Sequence, residues 1–511
     1  MSFNVGINVL EVDGRVAPSI QAAPTSQTGF IVRTDRGVPD HVRRITSFKQ
    51  FTQLFGSYRD DAHGAFALKG FFDNGGTVAY VTRVVRTSGT SPATTASRVL
   101  EDGTDPVLTI RAGYRGEEDP GAWGNRIGVR IAPNPRPSLA DDTYDLFVTL
   151  DGEEVEAWEA LNVNAGQNGE PGRRPTTTLN DEVSGSKYIT VEVPDSTTTN
   201  PEPTSGHDDA DEDDVVLLEG GADDTAPSAT ALSNAFERFD TYDVQLICCP
   251  ESSSDTVVTA GLTFSENRGD CTFLGATPEN HDREAARDYG QDFQGEKVYG
   301  ALYFPWIKVT DPRGGRRWVP PTGHVAGVYA RTERERGVWK APAGNAARVN
   351  GALDIREHIS NVDHTDLVKN GSVNAIRFVP GQGIVVDSSR TLSTSPLWLY
   401  VNVRLLFNFV KSSLKDGLRW VVQEPNDDRL WNKVKFNTIR PFLMGLWRRG
   451  AFGPGSADEV FTIKIDEENN PPENIQQGIF TAEVYFYPSR PAETVIITVG
   501  QQEGGGSSGE S

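Results

Sequence analysis

The chain has 511 residues, 37% hydrophobic and 9% aromatic, enough to bury real cores and to hold two to four domains of roughly 100 to 200 residues each. Its 71 acidic against 49 basic residues give a formal charge of -22, which argues against electrostatic wrapping of nucleic acid but not against self-association. The three cysteines, Cys248, Cys249 and Cys271, contain no CxxC, so neither a disulfide framework nor a zinc cluster is suggested, and a reducing compartment is the simplest fit.

Taken in chain order, the N-terminus MSFNVGINVLEVDG has no basic region followed by an apolar run, and no apolar stretch approaches about 18 residues. The sequence therefore predicts a protein made in, and soluble in, the cytoplasm. Residues 1–25 read as a detached N-terminal arm, in which INVLEVD alternates enough to be a strand after Gly6. Residues 26–90 read as the first part of an α/β core. TGFIVRTDRG is a short strand, ITSFKQFTQLFG a helix capped by Ser47 and ended by Gly56, and ALKGFFDNGGTVAYVTRVV a helix, a turn and a strand.

The composition then turns to Thr, Ser, Asp, Gly and Pro, and residues 91–224 are expected to form a β-rich insertion with strands in VLTIRAG, RIGVRIA, YDLFVTL and KYITVEV. Its acidic loop, 195–214, cannot bury anything. The α/β pattern resumes over 225–390, and residues 391–488 form a further α/β block. There the sequence predicts a helix from Ser395, with Pro396 at its first position, Leu399, Val403, Leu406 and Val410 on one face, and Gly417 just past its end. A second helix, from about Arg429 to Gly450, should be kinked by Pro441. Residues 489–511 form a C-terminal arm: the linker SRPAE, the strand TVIITVG, and a Gly/Ser tail.

Several stretches imitate chemical motifs. IDEENNPPEN places Asp466, Glu468 and Asn470 at calcium-loop spacing, but Pro471 stands where the loop needs Gly and Gln477 where it needs Glu, so it reads as a turn. GGSSG matches a nucleophile elbow only in a tail without strand or helix. PPTGHVAG resembles the histidine segment of subtilisin-like proteases, yet alignment on H-V-A-G puts the catalytic position on Pro321. Gly89 to Ser91, the serine-like GTS, precedes His324, the wrong chain order for that triad. His324 therefore reads as a capped or hydrogen-bonded core residue. PGQGIVV has two glycines of a dinucleotide fingerprint without the third or a following helix, and His281, His358 and His364 lack metal-ligand spacing. The arginines of DPRGGRRWVPP, Arg313, Arg316 and Arg317, are suited to meeting an acidic surface of another subunit.

The segments FFDNGGTVAYVTRVV, VPPTGHVAGVYARTERERGVWKAPAGN, PGQGIVV, RTLSTSPLWLYVNVRLLFNFVKSSLKDGLRWVVQEPND, LWRRGAFG, IDEENNPPENIQQG and RPAETVIITVG together resemble the sheath proteins of contractile phage tails and related injection systems. The resemblance covers about residues 1–90 and 225–500. It implies a non-enzymatic subunit, without cofactor, that stacks as six-membered rings in a helical tube around an inner tail tube and contracts to drive that tube through a cell envelope. It also implies a subtilisin-like α/β core, a C-terminal α/β sheath domain, and terminal arms that add strands to neighbours. The expected partners are further copies of the chain, the inner tube protein, and baseplate and terminator or cap proteins, with no direct nucleic acid and no membrane insertion. Ile7, Val9, Leu10 and Val12 would be the N-terminal donated strand, and Val495, Ile496, Ile497 and Val499 the C-terminal one. Gly6, Ser489 and Pro491 would serve as hinges. The five-residue linker can reach about 17 Å. Assembly would occur in the cytoplasm, into a virion tail or an injection particle. The alternatives are a subtilisin-like hydrolase, which lacks its triad, and a β-rich surface adhesin, for which no secretion signal is present.

Overall fold

The computed structural model describes residues 20–493 apart from 87, 137–142, 167–169, 196 and 205–213. The N-terminal strand and Gly6, the C-terminal strand from 494 onward, and half of the acidic loop thus lie outside the described residues; the described half corrects the expectation that the loop buries nothing, since Pro201 is buried and Thr204 N donates to Ile131 O at 3.1 Å.

Strand β1 (Thr28–Val32) is followed by β2 (Val42–Ile45), α1 (Phe48–Phe55), α2 (Gly64–Asp73) and β3 (Ala79–Arg83). The caps of α1 are those expected: the Ser47 side chain accepts from Gln50 N, and Gly56 closes the helix at φ 81°. The sequence reading lacked β2, whose VRRI carries two exposed or half-exposed arginines and only one fully buried residue.

The insertion holds β4 (Ser97–Asp102), β5 (Asp105–Tyr114), β6 (Glu117–Glu118), β7 (Ile127–Pro133), β8 (Tyr144–Leu150), β9 (Glu153–Leu161), α3 (Pro175–Leu179), β10 (Ile189–Glu192) and β11 (Val216–Leu217). They form two antiparallel sheets, β10-β5-β4 and β11-β7-β8-β9. Leu108 and Ile110 from one meet Val129, Ile131, Leu146 and Val148 from the other in a core of their own.

The chain then returns through α4 (Ala229–Asn234), β12 (Leu246–Cys248), α5 (Asp255–Arg268), β13 (Thr272–Ala276), α6 (Arg283–Asp292), β14 (Gly300–Phe304), β15 (Ile307–Thr310), β16 (Arg316–Val319), α7 (Thr322–Arg336), β17 (Asp354–Ile355), α8 (Asn361–Lys369), β18 (Val373–Val379) and β19 (Gly383–Val386). The central sheet runs β19-β18-β14-β13-β12-β1-β3-β2, parallel except at its two edge pairings. Its inner strands alternate between two cores: Phe30 and Val32 face the one containing α2 and α7, and Ile31 the one containing α5 and α8. PGQG is the turn of the β18–β19 hairpin, with Gly381 and Gly383 at positive φ, and holds no nucleotide loop.

The helix packed on α2 explains H-V-A-G. A Cβ at Gly323 would lie 2.3 Å from the Ala67 carbonyl oxygen, and one at Gly327 would lie 2.5 Å from that of Phe71. The glycines let two backbones touch. His324 is buried there with Nδ1 unpartnered, and burial pushes its pKa down to about 4. It is a neutral packing residue rather than the hydrogen-bonded one expected.

The C-terminal block contains α9 (Val401–Gly417), α10 (Asp428–Asn432), seven π-helical residues Lys433–Ile439, α11 (Arg440–Arg448), α12 (Ala457–Val460), β20 (Phe461–Lys464), α13 (Pro472–Gln476) and β21 (Glu483–Phe486). The expected start of α9 at Ser395 is corrected to Val401. Thr391 captures the intervening segment, its N–H donating to Leu399 O at 2.9 Å and its hydroxyl to Trp398 O at 2.7 Å. Gly417 is the last helical residue. The kink expected at Pro441 is the π-helical stretch just before it, where the proline ring would otherwise crowd the Asn437 carbonyl. The core of α9, α10 and β20 is continuous with that of α2 and α7.

Candidate assembly interface

The first described residues form a strap over two helices. Ile20 lies on Gly417, where a Cβ would come within 2.6 Å of its Cγ1, and Ala23 N donates to Ser413 Oγ at 3.0 Å. Ser26, at φ 61°, donates its hydroxyl to Glu333 of α7. Burial pushes the Glu333 carboxyl up to about 7, against the hydrogen bonds of Ser26 and Thr25. The strap ends as Gln27 N meets Gln245 Oε1 at 3.0 Å and the chain enters β1.

The other end of the chain leaves over the same helix. Strands β20 and β21 pair antiparallel, Phe461 opposite Phe486 and Lys464 opposite Glu483, and join no third strand among the described residues. A ladder of rings mounts this sheet: Trp398 to Phe407 at 4.7 Å, Phe407 to Phe486 at 4.2 Å, Phe486 to Phe452 at 5.2 Å, and Phe452 to Phe461 at 6.0 Å. The linker beyond is fastened at both ends. Ser489 N donates to Ala451 O at 3.2 Å, and Ser489 O accepts from Asn402 Nδ2 at 3.1 Å. Arg390 donates to both oxygens of Glu493 at 2.6 Å and, with burial opposing, holds that carboxyl below its usual value. In this conformation Ser489 and Glu493 are anchors, with Pro491 between them.

The acidic turn before β21 spends its side chains on itself. Asp466 Oδ1 accepts from Glu468 N at 3.1 Å, and buried Asn470 exchanges two hydrogen bonds with the Thr481 backbone, at 2.7 and 2.9 Å. The turn thereby aims the chain into β21.

The arginines at β16 are largely engaged within the chain. Arg313 bonds Asp311 at 2.8 Å and Asp60 at 2.7 Å, and Arg317 donates to Arg59 O at 3.0 Å while stacking 5.2 Å from Phe66. Arg316 is exposed on the strand.

In a parallel sheet the place for chemistry is the crevice where strand order reverses, here beyond β1 and β12. Glu251 fills it, accepting from Arg33 N at 3.2 Å and His63 N at 3.1 Å. Burial pushes Glu251 up to about 7, His63 down to about 4 and the Cys249 thiol up to about 12. Burial favours the neutral form of each group, and for the Cys249 thiol that is the reverse of an activated nucleophile. The insertion closes the same end. Arg83 meets buried Asp119 at 2.6 Å, Asp119 accepts from Gly37 N at 2.7 Å, and Arg36 lies 5.2 Å from the Trp123 and Tyr188 rings.

The strap, the fastened linker and the polar interruptions of α9 were not found in the sequence. Asn402, Arg404 and Asn408 within an apolar run were the available signal, and all three are buried.

An α/β protein with a polar-plugged crevice and a two-stranded sheet mounted on α9 is the class defined by these features. Residues 225–392 match the model for the phage tail sheath protein central domain and 393–502 that for the phage tail sheath C-terminal domain, together more than half of the chain. The chain belongs to the phage tail sheath family. It is 30% identical over 187 residues to the tail sheath protein of Vibrio phage KVP40, covering 35% of this chain and 26% of that one. To the tail sheath protein of Salmonella phage ViI it is 26% identical over 297 residues, covering 55% and 45%. The chain thus spans less than half the length of these curated relatives. The sheath of an extracellular contractile injection system, PVC, in its contracted state has the same fold, with TM-score 0.59, 17% identity, and 98% and 99% of the two chains covered.

Proposed function

We propose that the chain is the structural, non-enzymatic subunit of a contractile sheath, stacking as six-membered rings around an inner tube and shortening to drive that tube through a cell envelope. The observation that carries this reading is the β20–β21 sheet, mounted on α9 between the two ends of the described chain. A two-stranded sheet is marginal alone, and each donated main-chain hydrogen bond would add about 0.5 to 1.5 kcal/mol net. Ile7, Val9, Leu10 and Val12 from one neighbour, and Val495, Ile496, Ile497 and Val499 from another, supply strands of the right pattern. Head-to-tail donation of this kind propagates rather than closes.

The parallel sheet with helices on both faces supports a subtilisin-like core. The Cys249 thiol, pushed away from its thiolate, and Pro321 at the protease's histidine position support an assembly role over hydrolysis. Assembly in the cytoplasm, with inner tube, baseplate and terminator proteins as partners, belongs to the same reading; no described helix is long and apolar enough to cross a membrane. Deleting Thr494 to Ser511 should abolish tubes in negative-stain microscopy. Tubes of ordinary length from the truncated chain would overturn strand donation.

A further inference from the structure

We propose that Lys297 and Lys411, backed by Arg404, form a cationic seat for carboxylates of a second copy of this chain, an inference that rests on the sheath reading for its stacked copies. Three cations crowd one ring. The Arg404 guanidinium lies 3.8 Å from the Tyr299 centroid and 4.0 Å from that of Trp398, while Lys411 Nζ lies 5.6 Å and Lys297 Nζ 5.8 Å from Tyr299. Arg404 is 1% exposed, and its Nε and Nη2 are buried without a partner. Lys297 and Lys411 are exposed above it.

Among the described buried guanidinium groups, Arg83 is matched by Asp119 and Arg33 by Asp61, whereas Arg36, like Arg404, lies on two rings and has no ion-pair acid. Here the acid bearing on Lys411, Asp270, is already held by Arg268 at 2.8 Å. Burial lowers the pKa of Lys411, Tyr299 opposes that shift, and Arg404 and Lys297 lower it further, so the neighbouring cations repel one another. Tyr299, its hydrogen-bond partner, offsets the buried Arg404 charge only in part, and an anion docking on the two ammonium groups would offset the cluster further. The chain's own surface is the abundant source of that anion, with 71 acidic side chains against 49 basic ones per copy and some, such as Glu424 and Glu467, exposed.

The test uses tubes assembled from an equal mixture of unlabelled and nitrogen-15-labelled full-length chain, treated with a zero-length carbodiimide cross-linker. The expected result is peptides containing Lys297 or Lys411 joined to Asp- or Glu-containing peptides of the opposite isotope, and loss of those products in the K297Q/K411Q variant, whose changes are on the surface. Tubes that give no mixed-isotope product at either lysine would overturn the seat while leaving the sheath reading intact. Failure of the chain to assemble at all would overturn both. Acetylation of the two lysines slowed by inorganic phosphate in the dispersed chain, but not by assembly, would assign the seat to a free anion and overturn the proposal.

Discussion

Single buried acids set how the molecule responds to pH. Glu333 and Glu251 both hold their protons up to about pH 7, against 4.5 for an ordinary glutamate, because burial penalises the anion. The folded state therefore binds protons that the unfolded chain has released between those values, so the contribution of these two acids is fullest below pH 4.5 and is lost as pH rises to about 7, while buried His63 and His324, held down to about 4, act with the opposite sign between pH 6.5 and 4. Replacing Glu333 with Gln keeps an acceptor for Ser26 and removes the titration. The variant should gain on the order of 2 to 3 kcal/mol over wild type at pH 8 and nothing at pH 4, read from denaturant unfolding at the two pH values. Equal curves at pH 8 would mean that Glu333 is not the group responsible. None of this was legible in the sequence, because the glutamate sits in TERERG among charges that read as a solvated helix end. Which of those charges faces the Thr25–Ser26 strap depends on contacts more than 300 residues apart.

Elements with local signals were read well, and those fixed by distant partners were not. Helix α1 carries its own cap and stop in Ser47 and Gly56, and the inner strands β1, β12, β13 and β14 are buried at every residue. The start of α9 carried equally good local signals in Ser395 and Pro396, yet Thr391 binds that segment as an extended strap. Strand β9, EEVEAWEAL, was missed because four glutamates on an edge strand look like a loop; charges there discourage pairing with other edges. The contact of α2 with α7 depends on Gly323 lying against the Ala67 backbone. Gly323→Val should cost about 1 to 3 kcal/mol and lower the melting temperature, since a branched side chain must push two helices apart. An unchanged melting temperature would show that the helices can separate freely. The linker offers a second check at this scale. Arg390→Ala should raise hydrogen exchange at residues 489–493 with little effect on global stability, because the Glu493 side chain is partly exposed.

At the scale of the whole molecule, the continuous core from α2 to β20 makes the central and C-terminal parts one mechanical unit, and the buried Arg83–Asp119 pair bolts the insertion to it. Removing one partner leaves an uncompensated buried charge. Asp119→Ala should therefore cost about 3 to 5 kcal/mol, whereas a surface substitution in the insertion should be nearly silent. On the proposed sheath reading, a body with so continuous a core would suit a lattice whose subunits rotate and slide as units. Small gains per subunit, summed over many copies, would then supply the stroke. The most direct measurement is negative-stain electron microscopy of the purified full-length chain, with and without co-expressed inner tube protein. Ordered hollow tubes, with a diameter that identifies the packing state formed, are the predicted result. Dispersed monomers under both conditions, at high concentration and with intact ends, would contradict the account.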